Sequence, residues 1–147
     1  RRSKMEESIR YLREQFCLPE VDVRTCSPLV LAYIGDSIYD LLIRTILVSR
    51  GKRQANELHK KASGYVRASA QAAMILAIRE DLTEEEHQAY KRGRNAKTFS
   101  MAKHATMSEY RHATGFEALM GYLYLKDRMS RLIDLVRLGM ERTGGLP

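Results

Sequence analysis

Apolar residues recur at three- and four-residue spacing along almost the whole chain, and no alternating run is long enough to carry a sheet. The pattern predicts an all-α fold, a helical bundle. A first helix over about Lys4 to Phe16 carries Met5, Ile9, Leu12 and Phe16 as one apolar stripe, and Pro19 ends any continuation. A second has a defined start, with Ser27 as N-cap and Pro28 at the first helical position, and runs to about Arg50 before Gly51. It is apolar on most sides, which predicts a central helix packed by its neighbours or by a partner subunit. Shorter helices follow: one capped by Asn56 and running to about Tyr65, then an Ala-rich one over about Ala68 to Ile78. Thr83-Glu84-Glu85-Glu86 has the form of a capping box and opens a further helix ending near Arg92-Gly93. The polar, basic stretch Arg92 to Met107 lacks apolar periodicity and reads as a long loop. Ser108 is the expected cap of a helix to about Leu125, and a last helix spans about Asp127 to Glu141 before Gly144-Gly145.

Composition narrows the picture only moderately. With 44% hydrophobic residues in 147, disorder as the dominant state is excluded and one domain over residues 1–147 is expected. Apolar runs are broken by charge before they reach bilayer-spanning length, and Arg1-Arg2-Ser3-Lys4 leads into an amphipathic helix with no apolar signal core. The expectation is a cytoplasmic protein without a membrane segment. Basic residues outnumber acidic ones 25 to 18, giving a net charge of +7. That balance attracts polyanions, and by itself does not choose among RNA, DNA and a ribosome. Cys17 and Cys26 have no histidine cluster beside them and read as free thiols.

Two carboxylates stand out by their surroundings. Asp36 lies in LAYIGDSIYD, Leu31 to Asp40, within the most apolar helix, and Glu117 lies in FEALMGYLYL, Phe116 to Leu125. A carboxylate in such a place needs a cation, a hydrogen-bond network or an exit to solvent. Asp40, one turn beyond Asp36, adds a like charge that Arg44 or a metal ion could balance. Gly35, Gly115 and Gly121, with Ala118, leave narrow faces, so the two helices can approach closely and bring Asp36 and Glu117 together. Oxygen ligands of that kind suit Mg²⁺. None of His59, His87, His104 and His112 forms a metal-binding pair, and none is assigned as a general base. Tyr39 and Tyr122 read as core.

LAYIGDSIYD is similar to the signature helix of the ribonuclease III catalytic domain, and FEALMGYLYL resembles that family's second acidic helix. Between them, Val66 to Ala72 (VRASAQA) and Lys91 to Lys97 (KRGRNAK) look like the compact Mini-ribonuclease III branch. The resemblance implies an Mg²⁺-dependent endoribonuclease that cuts double-stranded RNA to 5′-phosphate and 3′-hydroxyl ends, acting in 23S ribosomal RNA precursor maturation. It assigns Asp36 and Glu117 as catalytic metal ligands and Tyr33 to the interface of a homodimer. Larger enzymes of the family carry further acids where this chain has Ala32 and Thr114, which leaves the metal count open. With no double-stranded RNA-binding domain in these residues, grip on the substrate is expected from the catalytic domain, through Arg92, Arg94, Asn95 and Lys97, with Lys60 and Lys61, and with Lys103 and His104 further along the loop. A non-catalytic RNA-binding module of the same fold is the first rival. A helical DNA-binding or adaptor protein is the second, disfavoured because the basic residues gather in a loop and at helix ends.

Overall fold

A computed structural model describes residues 3–51, 54–97 and 106–147. Among them the secondary structure is entirely helical: α1 Lys4–Gln15, α2 Pro28–Arg50, α3 Ala55–Val66, α4 Ala68–Ile78, α5 Glu84–Asn95, α6 Met107–Leu125 and α7 Met129–Thr143, with short 3₁₀ turns at Val23–Thr25 and Arg79–Asp81. No helix is long and apolar enough to cross a membrane among these residues.

Helix α6 is the axis of the bundle. It packs against α2, α4, α5 and α7, and nine of its residues, Ala113 to Phe116, Ala118 to Gly121 and Leu123, are buried. Tyr39 of α2 meets Phe116 of α6 edge to face at 5.0 Å. Its hydroxyl donates to the Tyr65 carbonyl at 2.9 Å, so the corner between α3 and α4 is tied to α2. The main core runs on through Ile43, Ile75, Leu119, Leu132 and Leu135.

Two crossings are set by glycine. A Cβ on Gly35 would overlap the Glu117 carbonyl oxygen, and one on Gly121 would overlap that of Leu31, so α2 and α6 touch backbone to backbone. At the α5–α6 crossing a Cβ on Gly93 would lie 2.6 Å from the Ala118 Cβ, and one on Gly115 would lie 2.6 Å from the Tyr90 ring. This second crossing corrects the expected loop after Arg92. Helix α5 continues to Asn95 because Gly93 seats the chain on α6, a tertiary contact that overrides the polar sequence. Helix α6 begins at Met107 under a Thr106–Glu109 capping box, its cap two residues before the expected Ser108. Lys103 and His104 lie outside the described residues.

Three further boundaries differ. Helix α3 starts at Ala55 with Gln54 at the cap position and no side-chain cap; the Asn56 carboxamide accepts from the Glu57 N–H instead. Helix α7 starts at Met129, after Asp127 adopts φ 57°. Its first N–H is met by Glu6 of α1 at 3.0 Å, while the other oxygen of Glu6 accepts from the Ser3 N–H at 3.0 Å. One buried carboxylate thus caps two helices. Leu12 on α1 and Phe16 just after it remain exposed, so the expected stripe is half-buried at its Met5–Ile9 end and no further.

Glu86, 2% exposed, closes the α5 capping box and receives a two-pronged pair from Arg131 of α7 at 2.9 Å on both oxygens. Burial alone would raise its pKa, but the Arg131 guanidinium and the Thr83 N–H outweigh that and hold it below the usual range. A depressed carboxyl stabilises the fold above its unfolded pKa, and that stability is lost as pH falls through the folded value. Glu86→Gln is expected to cost about 2 kcal/mol at neutral pH, with the half-exposed guanidinium moderating the loss. It should also flatten the acid limb of a urea-melt series taken from pH 7 downward. An unchanged acid limb would remove Glu86 from the pH response.

Candidate active site

The α2–α6 crossing decides where the two acidic residues meet. Gly35 lies against the backbone of Glu117, so the next residue of α2, Asp36, is delivered beside the Glu117 side chain. The two carboxyl groups come close enough for Asp36 to act directly on Glu117. Asp36 is exposed and Glu117 is half-buried, so of the alternatives open to Asp36 the exit to solvent is met, with one carboxylate at the surface beside another half-buried. Burial, first, and then Asp36 beside it push the Glu117 carboxyl up to about 8. Like charges this close hold a proton between them unless a cation takes its place.

The pair has no lysine or arginine in ion-pair contact among the described residues. Arg44 does not serve it: it pairs with Asp40 at 2.9 Å, one turn away along α2. No group of three or more His, Cys, Asp or Glu side chains comes together among the described residues. Ala32 and Thr114 sit buried beside the crossing, and the Thr114 hydroxyl is spent on the Tyr110 carbonyl at 2.9 Å. A donor set of two carboxylates, one open to solvent, fits Mg²⁺, which keeps several waters and takes one or two carboxylates. Beside the pair, α4 supplies Gln71, a buried residue whose amide nitrogen lies 3.4 Å from Glu117 Oε2 and whose Oε1 has no hydrogen-bond partner among the described residues.

The basic residues fall in separate places. Lys60 and Lys61 are exposed on α3. Arg92 and Arg94 share α5, where two residues turn about 200°, and they diverge accordingly. The Arg92 guanidinium donates to the Cys26 carbonyl at 2.9 Å. Arg94 donates to the Asn95 side chain at 3.2 Å and lies 5.4 Å from the centre of the Tyr90 ring. Around Arg94 a polar hollow is lined by Asn95, Met107, Ser108, Arg111 and His112, and Lys97 is exposed just beyond the helix end. The His112 Nδ1 is 2.7 Å from the Tyr90 hydroxyl. Burial, with Arg79 and Arg94 nearby, pushes His112 below its usual pKa. Arg79 and Arg111 were not singled out by sequence, since each stands alone there; only the folding of α5 against α6 and of the Arg79 turn against Tyr90 gathers them.

Tyr33 is 78% exposed at the middle of an unpartnered face of α2 that also shows Leu29, Val30, Leu41 and Val48. Asp36 stands three residues on, about 60° round the helix from Tyr33, at the edge of this face.

The ribonuclease III domain family matches residues 29–128. A Mini-ribonuclease 3 from Enterococcus faecalis is 48% identical over 125 residues, covering 84% of this chain and 95% of the relative. Another from a Thermoanaerobacter species is 43% identical over 138 residues, covering 93% and 97%. A crystal structure of a Fusobacterium nucleatum protein superposes with a TM-score of 0.71 at 34% identity, covering 78% of this chain and 92% of that one. The chain belongs to the ribonuclease III family, in its Mini-ribonuclease 3 branch.

Proposed function

We propose that this protein is an Mg²⁺-dependent endoribonuclease that cuts double-stranded RNA, with Asp36 and Glu117 as the metal-binding catalytic pair. The observation that carries the reading is the meeting of these two carboxylates at the Gly35–Gly121 crossing without a cationic partner among the described residues. Family membership supplies the reaction class. Asp36, exposed, is the ligand open to the substrate side, while Glu117, half-buried, anchors the site to the core helix. Mg²⁺ bound there supplies Lewis-acid stabilisation of the charge that builds on the attacked phosphate and favours ionisation of water. The chain's own part is to fix both carboxylates through a crossing that cannot slide. Hydrolysis leaves a 5′-phosphate and a 3′-hydroxyl.

A duplex offers phosphates, 2′-hydroxyls and a shallow minor groove, so recognition is by shape and charge. Arg94, Asn95 and Lys97 at the end of α5 form one phosphate-contacting group, and Lys60 and Lys61 on α3 a second. Arg92 contributes from the other side of α5, near the Cys26 carbonyl. The physiological substrate is the precursor of large-subunit ribosomal RNA, and the work is done in the cytoplasm.

The protein acts as a homodimer through the α2 face around Tyr33. A second copy is the fitting occupant, because a two-fold contact covers the apolar residues of both chains with one self-complementary patch and sets two carboxylate pairs along one duplex. Tyr33→Asp should yield a folded monomer by light scattering, with duplex cleavage reduced at least tenfold. A Tyr33→Asp protein that stays dimeric would place the interface elsewhere.

The function itself is tested by incubating a long end-labelled RNA duplex with the protein, with Mg²⁺ or with EDTA, and mapping the ends. Metal-dependent internal cuts with 5′-phosphates are expected. Duplex binding without cutting would instead favour a non-catalytic module, and absence of binding would overturn the RNA reading.

A further inference from the structure

Helix α4 is rich in alanine and almost wholly apolar, yet Gln71 at its second turn is 2% exposed. A polar side chain placed so deeply is costly unless its hydrogen bonds are met. One amide hydrogen of Gln71 goes to the Val66 carbonyl at 2.7 Å, at the end of α3. That carbonyl can only accept, so it fixes which way the amide faces. The second amide hydrogen is then directed to Glu117 Oε2, at 3.4 Å. This contact is at the long end of hydrogen-bond geometry. It favours the ionised form of Glu117, against the burial and the Asp36 charge that raise it. The remaining atom, Gln71 Oε1, is buried with no donor among the described residues, and such an unmet group costs about 1–3 kcal/mol. A leucine in α4 would avoid that cost. Gln71 therefore sets an unmet acceptor where α4 reaches the carboxylate pair.

We infer that Gln71 is a positioning residue of this site: anchored on Val66, its amide N–H holds the Glu117 carboxyl in the orientation in which it and Asp36 together take a divalent cation. The inference rests on the reading of Asp36 and Glu117 as the metal-binding pair. It also accounts for a chain that has Ala32 and Thr114 where larger relatives have acids. A neutral amide from α4, in place of additional carboxylates on α2 and α6, restrains the glutamate. Its orphaned Oε1 is an acceptor in want of a donor, and a hydrated cation brings water O–H groups.

The test uses Mn²⁺ as the probe, with affinity measured by electron paramagnetic resonance on the full chain. Wild type, Gln71→Met, Glu117→Gln and the double variant are compared, with thermal unfolding to report the fold. Gln71→Met keeps the length and removes both amide bonds. It should weaken Mn²⁺ binding about 10- to 100-fold, the range for loss of a group that orients a metal ligand. It should also lower kcat on duplex RNA while KM for the duplex stays within about twofold. In the Glu117→Gln background the same change should have no further effect on Mn²⁺ affinity, because Gln71 acts through Glu117. If Gln71→Met does not fold, Gln71→Asn is read in the same way, since its shorter side chain withdraws the N–H from Glu117. Wild-type Mn²⁺ affinity in Gln71→Met, with affinity lost in Glu117→Gln, would overturn the role of Gln71 alone. An equal loss from Gln71→Met in both backgrounds would reduce it to a structural residue. No Mn²⁺ binding by wild type, or unchanged binding in Glu117→Gln, would overturn the reading of the carboxylate pair.

Discussion

Asp36→Asn and Glu117→Gln should each reduce the cleavage rate on duplex RNA by about 10³-fold or more, with the helical fold intact. The magnitude follows from what the pair is proposed to do. Loss of a metal's charge stabilisation is worth several kcal/mol, and each ~1.4 kcal/mol is a decade in rate. Neither change should harm the fold. Asp36 is exposed and makes no ion pair among the described residues, so an amide of the same shape leaves α2 as it is. Glu117 goes further. Its carboxyl is pushed up to about 8 by burial and by Asp36, so the folded state holds a proton that the unfolded chain releases near pH 4.3. For an acid raised in this way, stability falls as pH climbs between the two values. Glu117→Gln carries no such penalty, and without metal at pH 8 its unfolding temperature should equal or exceed that of wild type. Single-turnover cleavage beside thermal unfolding measures both effects. Near-normal cleavage by either folded variant would remove the pair from the chemistry. A Glu117→Gln protein that melts well below wild type would show that the acid supports the fold.

Gly35→Ala should unfold or severely destabilise the protein, by about 3 kcal/mol or more, although alanine is the better helix former by about 1 kcal/mol. The opposing atoms decide the sign. The new methyl would overlap the Glu117 carbonyl oxygen and crowd the Gly121 nitrogen at 2.7 Å, and backbone in the middle of a buried helix cannot swing aside as a side chain could. Relief requires α2 and α6 to separate, which opens the core around Leu31 and Ala118 and draws Asp36 away from Glu117. Residual folded protein should therefore be inactive as well. Gly64 on α3 is the contrast, since nothing lies within 4 Å of a Cβ placed there. Gly64→Ala should stabilise by about 1 kcal/mol with activity retained. Chemical denaturation of the two variants separates the cases, and equal midpoints for Gly35→Ala and wild type would show that the crossing is looser than drawn.

Local signals carried the helices whose ends are written in the sequence. Ser27-Pro28 before an apolar run gave α2 from Pro28 to Arg50, and Thr83 with Glu86 gave the start of α5, because caps act within a turn. The ends that failed depend on distant residues. Helix α5 outruns its polar sequence because Gly93 rests on α6, and α7 starts where Glu6 of α1 meets its N–H. Arg92 and Arg94 look like one basic cluster in a string of letters, but a helix separates them by more than half a turn. Gln71 was visible only as one letter of a family-like motif, since nothing in its neighbours along the chain indicates Glu117, 46 residues away.

By itself the sequence determined an all-α chain of polyanion-binding charge. Through paired glycines in two acidic apolar helices, and a resemblance over four motifs, it also indicated the family and nominated Asp36 and Glu117. Periodicity, caps and composition are local quantities, and a chain states them without folding. Tertiary structure alone decided that the two carboxylates meet, that one is open and the other half-buried, and that Gln71 reaches the pair from a third helix. Each of those facts depends on distances between residues far apart in sequence, which only the packing of α2, α4 and α6 sets.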